Sequence, residues 1–129
     1  MTHLLNALAQ AVGLVLAPAA QRTTTLTGTG IDVLDYEGVA LAVLNASAGT
    51  GTTPTLDVKL QHSDDDSTYA DVTGGAFTQV TDVAGTAGVQ VMKVNVSDLK
   101  RYVRVIGTIA GTTPSFEFGV EFIGIKKVS

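Results

Sequence analysis

The chain has 129 residues, a formal net charge of −4 and no cysteine. That length holds one domain with one core. The acidic balance withholds the broad positive field used against nucleic-acid phosphates, and without thiols there is no disulfide, thiolate metal site or cysteine nucleophile. Only 16% of residues are charged, 45% are hydrophobic and 14 are glycine, with threonine prominent among the polar ones. This is a β-rich mixture rather than a helical one. A mean hydropathy of +0.31 implies surface that is buried against partner subunits.

The first stretch, Leu4 to Ala17 with Pro18-Ala19-Ala20 after it, has the apolar run and small residues of a secretory leader, but no Lys or Arg precedes the run. Asn6, Gln10 and Gly13 interrupt it, and it is shorter than the ~20 apolar residues a membrane helix needs. The expectation is an N-terminal arm, residues 1–22, extended or partly helical. Leu4, Leu5, Leu8 and Val12 recur at helical spacing, while Val15 to Ala17 suit a strand equally well. With Leu14 and Leu16, these residues are candidates for a contact with the chain's own core or with a neighbour.

From Arg22 onward the pattern is one of strands. Gly38 to Gly49 is a nearly continuous apolar run, and Leu56, Val58 and Leu60 alternate with Asp57, Lys59 and Gln61. In Ala87 to Val96 the apolar phase changes between Val91 and Met92, which predicts a bulge there. Val103, Val105 and Ile109 alternate with Tyr102, Arg104 and Thr108. The last run sets Phe116, Phe118, Val120 and Phe122 against Glu117 and Glu121. Short strands between frequent turn residues predict an all-β fold, an antiparallel β-sandwich of jelly-roll or Greek-key kind over residues 23–129.

One internal echo stands out. Gly51-Thr52-Thr53-Pro54 and Gly111-Thr112-Thr113-Pro114 each follow an apolar strand and precede an alternating one. Proline fixes its own φ and holds the preceding residue extended, so each copy marks the re-entry into the second strand of a hairpin. Two related hairpins and good turn chemistry used twice both explain it.

Asp64-Asp65-Asp66 raises the question of a metal or catalytic site. Counted from Asp64, the sixth residue of a calcium loop is Tyr69 rather than glycine and the twelfth is Gly75 rather than glutamate. Adjacent carboxylates in a polar tip also lack the apolar pocket that a glycosidase acid needs. The residues read as a hairpin tip from Ser63 to Ser67, its side chains bonding their own backbone and Tyr69 returning to the sheet, with adventitious cation binding as the other reading. His3 and His62 lack metal spacing, there is no Gly-x-Ser-x-Gly elbow, and Gly28-Thr29-Gly30 lacks the third glycine of a dinucleotide site. No cofactor and no catalytic residue is expected. Lys100, Arg101 and Arg104, with Lys126 and Lys127, form either a solvated basic face or a patch, opposite the acidic tip, that pairs with an acidic neighbouring subunit.

The ordered series from Ile31 to Val72, Ala76 to Val80 and Leu99 to Lys127 resembles small virion proteins of tailed bacteriophages, similar to capsid decoration or cement proteins. The resemblance implies a sandwich that binds the assembled head at junctions between subunits. The expected partners are thus the major capsid protein and further copies of the chain, as a dimer or trimer, with no nucleic acid and no membrane, and the location is the virion surface. Two other functions stay open. One is a different virion part, in head completion, neck or tail. The other is a carbohydrate-binding attachment module, which the 5% aromatic content and absent tryptophan disfavour.

Overall fold

A computed structural model describes residues 11–127. Eight strands are present among them: β1 (Ala11–Arg22), β2 (Leu26–Thr27), β3 (Ile31–Asp32), β4 (Tyr36–Ala46), β5 (Thr50–Ser63), β6 (Ala70–Ala76), β7 (Gly88–Asn95) and β8 (Tyr102–Lys126). Short 3-10 turns at Ala84–Thr86 and Val96–Asp98 flank β7. All the strand pairings are antiparallel.

The 25-residue strand β8 organises the rest. Along one edge its first half pairs with β5 and its second half with β4. Along the other edge the first half pairs with β2 and β3, and the second half with β1. β6 extends the sheet beyond β5, and β7 extends it beyond β4. The sheet therefore folds on itself into two layers, β1-β8-β4-β7 and β6-β5-β8-β2/β3, with the core between them. This is the expected antiparallel β-sandwich.

The fold line is built by the internal echo. Thr52 pairs with Thr112, so the two Gly-Thr-Thr-Pro segments lie side by side where β8 and the β4–β5 segment pass from one layer to the other. Gly51 and Gly111 sit at φ +108° and +120°, and Thr53 and Thr113 at +46° and +47°. The two copies make the same turn, and each glycine faces the other copy's threonine carbonyls. A Cβ on Gly51 would lie 2.5 Å from the Thr113 oxygen, and one on Gly111 would lie 2.8 Å from the Thr53 oxygen. The echo is thus a paired corner with local two-fold symmetry. It is not a pair of hairpins, because β4 pairs with β7 and β8 and not with β5.

The alternating runs place their apolar sides inward as read. Leu56, Val58, Leu60, Val103, Val105, Phe116, Phe118, Val120 and Phe122 are all buried. Each fully buried Phe, Leu or Val contributes about 1.5–3 kcal/mol. Small residues make room for the phenylalanines: Ala46 stands directly opposite Phe118, and Ala42 opposite Phe122. Tyr36 closes the end of this row with its ring edge-on to Phe122, centroids 6.1 Å apart.

One expectation needs correction. β7 pairs with β4 without a register shift from Val39–Asn95 to Ala46–Gly88, so there is no bulge at Val91-Met92. Val91 faces outward and Met92 inward because β7 is apolar on both of its faces. Of the alternatives open for the arm, residues 11–22 take the extended one: residues 1–10 lie outside the described region, and Ala11–Arg22 is a strand of the sheet with Leu16 and Ala17 in the core.

The register of β1 slips twice, between Val15 and Ala17 and between Ala17 and Ala20, around Pro18. Such irregularity is tolerated on an edge strand, but it leaves carbonyls out of the ladder. Arg22 collects them. Its guanidinium donates to the carbonyls of Pro18 at 2.5 Å, Phe118 at 2.7 Å and Ala20 at 3.3 Å, and lies 4.7 Å over the Phe118 ring.

Candidate functional site

The two outward faces of the sandwich differ in kind. On the β6-β5-β8 layer, Lys59 bonds Asp71 at 2.9 Å, Gln61 donates to Asp71 at 2.9 Å, and Arg104 donates to Gln61 at 3.0 Å. Polar side chains linked in rows like this make a solvated face.

The outward face of β1-β8-β4-β7 is aliphatic. Strand register puts Val15, Glu121, Val43 and Val91 in one row across the four strands, and Gly13, Ile123, Leu41 and Lys93 in the next. Val89, on the row at the other side of Val91, is 63% exposed, Val91 59%, Val15 55% and Val39, on the row beyond Lys93, 52%. On β4 Val39, Leu41 and Val43 point away from the core while Ala40, Ala42, Leu44 and Ala46 point into it. Three branched aliphatic side chains in a row on the outward side make a surface suited to being covered. A shallow groove of about 680 Å³ runs along this face between Val15, Val43, Val89, Glu117 and Glu121.

The residues singled out in the sequence fall elsewhere. Leu4, Leu5 and Leu8 lie outside the described region. Val12 and Leu14 pack half-buried against the core and Leu16 is 2% exposed, so these three point into their own sandwich. The outward residue of that strand is Val15. Both phases of Val12 to Leu16 are apolar apart from Gly13, so alternation alone could not tell inside from outside.

Lys100, Arg101 and Arg104 find partners within the chain. The Lys100 ammonium lies 3.6 Å from Asp64 and Arg101 bonds Asp32 at 2.9 and 3.1 Å. The Arg104 guanidinium stacks 3.9 Å from the Tyr69 ring centroid. The basic residues lie beside the acidic tip rather than opposite it. Lys100, Arg101 and Lys127 line one shallow hollow together with Glu37 and Asp64.

The tip has the predicted hairpin form, joining β5 to β6. The Asp65 carboxylate accepts from the Thr68 N–H at 3.0 Å, the Ser63 hydroxyl at 2.8 Å and the Ser67 N–H at 2.9 Å, and these bonds hold its pKa below the usual aspartate value. The Tyr69 hydroxyl donates to Asp66. Burial, and then that bond, push the phenol up to about 12. Arg101, followed by the Leu34 N–H, holds Asp32 below its usual range. His62 Nδ1 accepts the Lys100 N–H at 3.2 Å, and desolvation, followed by the Lys100 charge, lowers its pKa. Among the described residues no three His, Asp or Glu side chains converge to hold a metal ion.

Two further residues escaped the sequence reading. Arg22 is one. Gln90 is the other: its side-chain amide donates to the Thr78 carbonyl at 2.9 Å and accepts the Thr78 N–H at 2.8 Å, tying β7 to the segment after β6 as a backbone pair would. Gln90 has no local signal, since its partner lies 12 residues away; Arg22 reaches Ala20 and Pro18 close by in the chain, but the Phe118 carbonyl and ring that complete its site lie 96 residues away.

The sequence model of the Bbp16 family matches residues 14–121, from β1 into the last third of β8. The chain belongs to the Bbp16 family. No curated protein matches the sequence. Among solved structures, this Bbp16-family chain is similar to the PBSX exported protein XepA, with 19% identity and a TM-score of 0.59 over 92% of this chain. It spans only 38% of XepA. It is also similar to the SPBc2 prophage-derived protein YomS, with 12% identity and a TM-score of 0.52 over 90% of this chain and 93% of YomS. VP2 of infectious bursal disease virus, in its subviral particle, gives 12% identity and a TM-score of 0.56 over 90% of this chain and 32% of VP2. At these identities the shared feature is the fold.

Proposed function

We propose that this Bbp16-family chain is a structural component of a phage virion, a decoration protein that binds the assembled head and reinforces junctions between major capsid subunits. The aliphatic outward face of β1-β8-β4-β7 carries the reading. An added subunit stabilises a shell only by binding the assembled state better than its parts. That task calls for a rigid sandwich with a covered face and for no reactive groups. The polar side chains of the other face and of the tip are spent on one another, in the bonds described above, which supports a non-enzymatic role. The fold shared with XepA, with the prophage-derived YomS and with VP2 is in keeping with it.

A carbohydrate-binding role has no platform here. Tyr36 is buried, Tyr69 lies beneath Arg104, and Tyr102 is half-buried with Arg101 5.2 Å from its ring. A sugar would need one of these rings open for stacking.

The test is binding of the labelled chain to cognate heads emptied of it, followed by imaging and a heat challenge. Saturable density over the shell and a higher disruption temperature are expected. Density confined to one vertex or to the tail would replace the decoration role with that of a connector or tail part.

A further inference from the structure

We infer that the free edge of β7 takes on a further strand, an extended segment of a head subunit that carries a carboxylate opposite Lys93. This rests on the reading of the chain as a head-binding protein and adds how the contact is made.

The other edges of the two layers are guarded. β1 slips register twice around Pro18, and Arg22 occupies carbonyls that the slips set free. Gly28 closes on the same strand, where a Cβ would lie 3.0 Å from the Leu16 oxygen. β2 and β3 have two residues each. β6 bulges between Asp71 and Ala76, and Gly74 within it takes φ +71°. Short strands, bulges and proline are the usual defences of an open edge.

β7 has none of them. Its eight residues, Gly88–Asn95, contain no proline and hold one unbroken register with β4. They present about 27 Å of regular edge at ~3.4 Å per residue. Among the described residues the backbone of β7 pairs only with β4. In an antiparallel ladder alternate residues turn their N–H and C=O groups away from the partner strand, so half of those in β7 face out along this edge. The Gln90 side chain ties the inward side of β7 to Thr78, which steadies the strand without using the edge.

An edge of this kind binds through main-chain hydrogen bonds, and those select an extended segment. Charge selects its origin. Lys93 is the only charged residue of β7, and it is exposed. Its row, Gly13, Ile123 and Leu41, holds no carboxylate, and among the described residues it makes no ion pair. An acidic residue directly across an added strand would complete it. A second β7 has no acid to offer, and neither has the stretch from Met1 to Arg22, which contains no Asp or Glu. The segment therefore comes from a different protein. Val91 and Val89 call for apolar residues two and four places along it from the acid, so that the added strand continues the aliphatic face beyond β7.

The experiment is hydrogen exchange of the full chain, free and bound to cognate heads emptied of it, with the chain released before its amides are read by NMR. In the free chain alternate amides of β7 should exchange fast. In the bound chain those same amides should slow by roughly 100-fold or more. Lys93→Glu should weaken head binding roughly 10-fold without lowering the melting temperature, and Lys93→Gln should lose less.

Alternate β7 amides that exchange as fast on heads as off them overturn the inference and leave the decoration role standing. Head binding that Lys93→Glu leaves as tight as wild type does the same. A free chain that is already a dimer with the β7 edge protected would make a second copy the occupant, and overturns it too. A chain that binds no heads removes both readings.

Discussion

The paired corner makes a demanding prediction. Alanine at position 111 would have to hold φ +120°, with its Cβ 2.8 Å from the Thr53 oxygen and 3.0 Å from the Thr52 oxygen. The backbone strain costs about 1–3 kcal/mol, and forcing two paired strands apart at the fold line costs a further 1–3 kcal/mol or so. The sum, about 2–6 kcal/mol, is a large share of the ~6–19 kcal/mol expected for a chain of this length. At roughly 3–5 °C per kcal/mol, Gly111→Ala should lower the melting temperature by about 6–30 °C, measured by calorimetry or circular dichroism. Gly51→Ala should behave alike, since its Cβ would meet the Thr113 and Thr112 oxygens at 2.5 and 2.8 Å. Gly88 supplies the control: its φ is +118° but nothing lies within 4 Å of its Cβ position. Gly88→Ala therefore carries the strain without the collision, about 1–3 kcal/mol, and should fall below Gly111→Ala by the cost of the collision. Because separating the two strands relieves both collisions, the Gly51→Ala, Gly111→Ala double variant should cost less than the sum of the singles by about 1 kcal/mol or more. Equal losses at positions 88 and 111, with strict additivity of 51 and 111, would refute the paired corner as the cause.

Other consequences are open to direct measurement. Arg22→Met keeps much of the stacking on Phe118 but leaves three carbonyls without their donor, so it should destabilise by about 2 kcal/mol; denaturant unfolding reads this, and Arg22→Lys should recover little because one ammonium cannot span all three. Gln90→Leu should cost about 1 kcal/mol and raise amide exchange at Thr78, where Gln90→Glu keeps only the acceptor for the Thr78 N–H. His62, depressed by desolvation, should titrate below 6.5 by NMR. Its folded pKa lies under its unfolded one, so its contribution is present above about pH 6.5 and fades as pH falls through the folded value. Asp65 follows the carboxylate sign: its turn is held above its ordinary pKa, and protection of the Ser67 and Thr68 amides should disappear as pH falls through the lowered one. Tyr69 should ionise near pH 12, so its share of stability is complete below pH 10 and is lost as pH rises towards 12.

Much of this protein was legible from residues close together in the chain. Alternation in Leu56–Gln61, Tyr102–Val105 and Phe116–Phe122 determined strand character and also which side is buried, because one phase in each is polar. The aspartate run declared its turn through side chains that bond the backbone two or three residues on. Tertiary structure decided what periodicity could not carry. Where both phases are apolar, as in β1, β4 and β7, alternation has no sign, and only the opposing layer shows that Val15, Val43 and Val91 lie outside while Leu16, Leu44 and Val94 lie within. The Gly-Thr-Thr-Pro echo was visible, but its meaning was not: two segments 60 residues apart had to meet before each glycine could be seen to make room for the other's carbonyls. Local sequence specifies the torsions and the faces a strand can offer; which face meets which neighbour is settled by packing among distant segments, and the surface left for a partner is whatever that packing leaves uncovered.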